Sequence, residues 1–71
     1  MNKLKTCLTL RLEYLAATRS RLENEESFLE ARSALKLLTN DERLRKEDIF
    51  FDLQAIQEQV QLINQALALT Q

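Results

Sequence analysis

Between Ile49 and Thr70 the chain reads Ile49-Phe-Phe-Asp-Leu53-Gln-Ala-Ile56-Gln-Glu-Gln-Val60-Gln-Leu-Ile63-Asn-Gln-Ala-Leu67-Ala-Leu-Thr70. Ile49, Leu53, Ile56, Val60, Ile63, Leu67 and Thr70 are spaced 4, 3, 4, 3, 4, 3, the seam of a heptad repeat with one polar exception at its end. Ala55, Leu62, Ala66 and Leu69 widen this stripe on one flank, and Gln54, Gln57, Glu58, Gln61 and Gln65 cover the opposite side. A stripe this wide is more than one facing helix covers. The segment therefore reads as a long helix with apolar surface to spare.

Upstream the pattern is helical but less regular. Leu8, Leu15, Leu22 and Leu29 recur every seven residues, while the positions that would complete their seam are Thr18 or Arg19 and Glu25 or Glu26. A second seam, Phe28, Ala31, Leu35 and Leu38, begins near the end of this segment. Ser20 with Glu23 and Ser27 with Glu30 match the capping-box spacing, so a break within 18–27 is one option and a continuous helix the other. Between the two patterns sits Thr39-Asn40-Asp41-Glu42, the one turn-prone cluster. Asn40 can adopt the left-handed conformation that ends a helix, and either Thr39 with Glu42 or Asp41 alone can start the next. The expectation is an all-α fold: two long antiparallel helices, about 3–38 and about 42–70, joined at about 39–42 into a single αα-hairpin spanning 1–71. The first helix would overhang the second at its N-terminal end.

Composition supports this. The 71 residues contain no Gly and no Pro, the residues that tight turns and hairpins need, and 45% are hydrophobic and 30% charged. Below about 70–80 residues a lone core rarely supplies more than a few kcal/mol, and small scaffolds recruit disulfides, a metal or another chain. One Cys forms no internal disulfide, and one thiol with no His leaves a structural zinc site without ligands. Another protein is the remaining source of stability.

Enzymatic chemistry finds no residues to carry it. Without His the common general base is missing, and without Gly there is no phosphate-cradling loop or nucleophile elbow. No catalytic residue, cofactor or metal is expected. Cys7, beside Leu4 and Leu8, reads as a small core residue. A formal net charge of −1 does not suit phosphate binding, and the basic group Arg43, Arg45 and Lys46 is interleaved with Glu42, Glu47 and Asp48, so no nucleic-acid partner is expected. The charges are nonetheless segregated. Residues 1–21 carry Lys3, Lys5, Arg11, Arg19 and Arg21 against Glu13 alone, whereas 22–30 carry Glu23, Glu25, Glu26 and Glu30. Arg11 and Glu13 interrupt the first apolar stretch too early for a signal peptide, and no run spans a bilayer, so a cytoplasmic chain without a membrane partner is expected.

Two helices side by side bury one stripe each. The surface expected to meet a partner is Leu53, Ile56, Val60, Ile63 and Leu67, with Leu8, Leu12 and Leu15 as the second choice. Phe50 and Phe51 join the first set, because neighbours on a helix point about 100° apart and both rings cannot enter one seam. Either one faces a partner or Leu37 and Leu38, or both plug the bottom of the hairpin.

Residues 53–64, Leu53-Gln-Ala-Ile56-Gln-Glu-Gln-Val60-Gln-Leu-Ile63-Asn64, resemble the C-terminal helix of the small E-type co-chaperones of bacterial type III secretion. The family pattern of an apolar residue, an acidic or amide residue followed by Ala and Ile, then paired apolar residues and Asn, falls on Leu53, Gln54-Ala55-Ile56 and Leu62-Ile63-Asn64. Members often have Gly near the turn, where this chain has Thr39-Asn40-Asp41. The resemblance implies an αα-hairpin that pairs with a tetratricopeptide-like co-chaperone, the two together holding a needle subunit monomeric in the cytosol. The alternative is a homodimeric four-helix bundle, two hairpins covering each other's stripes, acting as a small regulatory or adaptor protein.

Overall fold

In a computed structural model, which describes residues 3–70, the chain is two helices and one turn: α1, Lys3–Ala34, and α2, Asn40–Leu69. They lie antiparallel in a rod of 52 × 16 × 15 Å. The expected all-α hairpin is the observed architecture. With neither Gly nor Pro to interrupt it, α1 runs unbroken through 18–27, so the capping-box spacings at Ser20 and Ser27 start nothing.

The core lies between the helices. Leu15, Leu22 and Leu29 of α1 and Ile49 and Ile56 of α2 are buried, with Ile49 wholly so at 0% exposure. Leu38, Leu53, Val60 and Ile63 are half-buried and pack against this cluster. Each helix thus contributes residues seven apart, the spacing that keeps one line of side chains facing a neighbour along a supercoiled pair. The second seam expected in α1 is not one: Phe28 and Leu35 are exposed at 61% and 69%, because Leu29 turns that stretch of helix toward α2 through its own side.

The turn departs from the sequence-based boundaries. α1 stops at Ala34 rather than near 38, and the reversal occupies 35–39. Its left-handed residue is Lys36, at φ 59°, and Asn40 instead opens α2. The Lys36 amide donates to Ser33 O at 2.9 Å and the Leu37 amide to Arg32 O at 2.9 Å, the paired closing bonds of a Schellman motif. A non-Gly residue in this region costs on the order of 1–2 kcal/mol. The next segment opposes that cost: Thr39 caps α2 in a complete capping box, its Oγ1 accepting from the Glu42 amide at 3.1 Å while Glu42 Oε1 accepts from the Thr39 amide at 3.1 Å. With α2 anchored at Thr39, a helix continuing to Leu38 would leave no residues to reverse direction. Ending it at Ala34 also brings Leu38 back under the cluster.

The register follows from contacts between the helices. Arg11 Nη2 donates to Gln59 Oε1 at 3.5 Å, and Arg45 donates from Nε and Nη2 to the two Glu25 oxygens at 2.7 and 2.9 Å. Across the four cross-helix pairs, 11 with 59, 25 with 45, 32 with 42 and 30 with 46, the numbers add to between 70 and 76, so position n of α1 lies level with the stretch of α2 from about 70 − n to 76 − n. Lys3 is therefore level with the C-terminal end of α2. With 32 and 30 residues the helices finish flush, and the expected overhang of α1 is absent.

Candidate protein-binding face

A helix turns about 100° per residue, so side chains a fixed rotation away from the buried line form a second line along the rod. In α1 the residues rotated about 80–140° to one side of the Leu15-Leu22-Leu29 line include Leu10, Tyr14, Phe28 and Leu35. In α2 the same rotation from the Ile49-Ile56 line reaches Leu44, Phe51, Leu62 and Leu69. In an antiparallel pair, equal rotations of the same sense about each helix's own direction arrive on the same side of the hairpin. Lining residues agree: Arg11, Tyr14, Arg21, Asp52, Ala55 and Gln59 surround one shallow hollow, whereas Arg19, Glu23, Phe50, Gln54 and Gln57 surround another. The hairpin is thus two-sided. One face carries eight large apolar side chains, each 58–88% exposed, with Ala17, Ala55 and Ala66 between them. The other is dominated by Gln and charged residues, with Phe50 the one large exposed apolar group on it among the described residues.

This changes which residues are free to bind. Ile56 is buried against α1, Leu53, Val60 and Ile63 pack on the buried cluster, and Leu67 is half-buried. The regular stripe is occupied within the hairpin and meets no partner unless the helices separate. The second choice is in the same position, with Leu15 buried and Leu8 and Leu12 half-buried. Phe50 and Phe51 are both more than half exposed, their rings edge to face with centroids 5.6 Å apart, so they do not plug the bottom of the hairpin. Phe51 belongs to the apolar face and Phe50 to the polar one. Cys7 is exposed, not a core residue, because Leu4 beside it is 57% exposed too.

Leu10, Tyr14 and Leu44 belong to no seam in the sequence, and Phe28 and Leu35 read there as a second seam rather than as part of a binding face. A signal for them existed in the flank of α2 formed by Ala55, Leu62, Ala66 and Leu69, which continues backwards four residues to Phe51 and seven more to Leu44. It was visible as extra width; its role depends on which side α1 takes.

Charges decorate the apolar face asymmetrically. On α1 they are mainly basic: Arg11 stacks over Tyr14 at 5.0 Å, Arg32 over Phe28 at 5.8 Å, and Arg21 stands between. On α2 they are mainly acidic: Asp41, Asp48, Asp52 and Glu58. Three cross-helix ion pairs clasp the half of the rod nearest the turn. Arg45 binds Glu25 in the two-pronged manner, Lys46 Nζ lies 2.9 Å from Glu30 Oε1, and Arg32 Nε lies 2.7 Å from Glu42 Oε2. That last contact is Coulombic, since Nε lacks hydrogen-bond geometry; Arg32 Nη2 supplies the directional bonds, to Glu42 Oε1 and Leu37 O, both at 3.1 Å. The Arg45 hydrogen bond holds the Glu25 carboxyl below its ordinary value, and the Thr39 amide, aided by Arg32, does the same for Glu42. Arg21, Asp48 and Asp52 enter no ion pair among the described residues.

Among the described residues no group of three His, Cys, Asp or Glu could hold a metal ion, and no helix is long and apolar enough to cross a membrane. Comparison with family models, curated proteins and solved structures finds no match to this chain. The likeness of residues 53–64 to the E-type co-chaperones therefore stands on those residues alone.

Proposed function

We propose that this protein is a non-enzymatic binding module that presents the apolar face of its hairpin to an apolar helical surface of another protein, and that it serves as an E-type co-chaperone of type III secretion. The observation that carries the binding reading is the gathering of eight large, more than half-exposed apolar side chains on one side of a 52 Å rod. Patches of this extent mark protein-binding surfaces. The hairpin architecture and the resemblance of 53–64 support the narrower reading. On it the partner is a tetratricopeptide-like chaperone, whose stacked helices offer a concave apolar surface, and the needle subunit is held indirectly.

The test is capture from the native cell by the tagged chain, with the bound protein identified by mass. Recovery of a tetratricopeptide-like chaperone together with a needle subunit supports the co-chaperone reading. Recovery of a polymerase, a protease or another enzyme replaces it with an inhibitor or adaptor role, and a chain that binds no protein at all refutes the binding reading.

A further inference from the structure

Covering the apolar face by a second copy of this chain depends on three features of that face: area, side-chain polarity and charge. Extents of 52 × 16 Å give it a footprint of about 800 Å², the area each partner contributes to a standard specific interface. Two hairpins can close face to face about a twofold axis in two ways. With the axis perpendicular to the helices, α1 meets α1 and α2 meets α2. The mainly basic side of α1 then lies on another mainly basic side, and the mainly acidic side of α2 on another mainly acidic one. With the axis parallel to the helices, α1 of one copy meets α2 of the other and levels are preserved, because the rotation does not move anything along the rod.

The parallel-axis arrangement fits the side chains. Arg21 is level with positions 49–55 of α2, the stretch that holds Asp52 and directly follows Asp48, and Arg11 is level with positions 59–65, which begin next to Glu58. Tyr14 is level with positions 56–62, which reach Leu62, and Leu10 with positions 60–66, which hold Leu62 and Ala66. Phe28 comes level with the region around Leu44. Apolar side chains thus meet apolar ones, and Arg21 meets Asp48 and Asp52; within the hairpin these three form no close salt bridge, Arg21 acting at longer range on Glu25 and the two acids on Arg45.

We propose that two copies of this chain pack apolar face to apolar face about a twofold axis parallel to the helices, forming a four-helix bundle with both turns at one end. This rests on the reading of that face as protein-binding and adds a regulation to it. The second copy occupies the face while the partner is absent, and homodimer and partner complex exclude one another.

Sedimentation equilibrium of the full chain reads the first half of the proposal: a species of twice 8.3 kDa is expected, and a monomer at 100 µM overturns it while leaving partner capture as an independent result. The arrangement is read from spin labels on Leu37→Cys in a Cys7→Ser background. Both turns at one end place the labels about 15–30 Å apart across the bundle, whereas a perpendicular axis places them about 50 Å apart, the length of the rod, and overturns the arrangement. Charge exchange gives a second reading. Arg21→Asp alone and the Asp48→Arg, Asp52→Arg pair alone should each weaken self-association about tenfold or more, and mixing the two variants should restore it as a heterodimer. A mixture that associates no better than either variant overturns the contact. If the dimer forms as described but persists unchanged in the presence of the captured partner, the mutual exclusion fails and the binding reading moves to another surface.

Discussion

Replacing Ile49 with Ala removes the most deeply buried side chain of the hairpin. The residue is 0% exposed and is one of five buried apolar groups among the described residues, so few neighbours are available to collapse into the space left behind. Fully burying such a side chain is worth about 1.5–3 kcal/mol, and the cavity term raises the loss for a large-to-Ala change in a core to about 2–5 kcal/mol. A domain of this size has about 4–10 kcal/mol of stability in total, so Ile49→Ala should remove about a fifth or more of it. At about 4–8 °C per kcal/mol for domains of 60–100 residues, the thermal midpoint should fall by at least about 10 °C. Far-ultraviolet circular dichroism follows this directly, at one fixed protein concentration because association contributes to the midpoint. Gln61→Ala, on the exposed polar side of the same helix, is the matched control and should stay within about 0.5 kcal/mol. An Ile49→Ala midpoint within 3 °C of the unsubstituted chain would refute the placement of the seam.

Other outcomes follow from the turn and its ion pairs. Lys36→Gly removes the left-handed strain at φ 59° and should raise stability by up to about 1 kcal/mol in urea unfolding, whereas Lys36→Val should lower it. Thr39→Ala leaves the α2 amides uncapped and should cost about 1 kcal/mol by the same measurement. The Glu25 and Glu42 carboxyls lie below their ordinary value of 4.5, so the stability they contribute is present above pH 4.5 and is lost as pH falls through their folded values. Carboxyl titration by nuclear magnetic resonance should show both below 4.5, and Arg45→Ala should return Glu25 alone toward that value.

How far the sequence carries can be followed residue by residue. The heptad from Ile49 to Leu67 and the seven-residue recurrence of Leu8, Leu15, Leu22 and Leu29 are local patterns, and each states which side of its helix is apolar. Together with the missing Gly and Pro they make the hairpin legible. The end of α1 was not legible, because nothing in Leu35-Lys36-Leu37-Leu38 disfavours a helix. It is the downstream cap at Thr39 and the return of Leu38 to the core that stop it at Ala34. Lys36 gives no sign of its left-handed backbone, since the usual residue there is Gly.

The binding face shows the same division. The excess width of the α2 stripe was readable from Ala55, Leu62, Ala66 and Leu69, but not which part α1 would cover. That choice is made by the rotation between helices. α1 meets α2 along its one regular line of leucines, which draws in Ile56 and Val60 and leaves Phe51 and Leu62 outside. Residues of α1 such as Tyr14 and Phe28 show no complete heptad, and they become part of a surface only once α2 lies alongside.

The most direct test compares capture of protein from the native cell by the tagged chain and by its Phe51→Glu, Leu62→Glu variant, whose helicity is verified beforehand. Both substitutions lie on exposed positions and leave the buried seam intact. The unsubstituted chain should retain its partner and the variant should lose it. Equal recovery of the same partner by both would contradict the assignment of the apolar face as the binding surface.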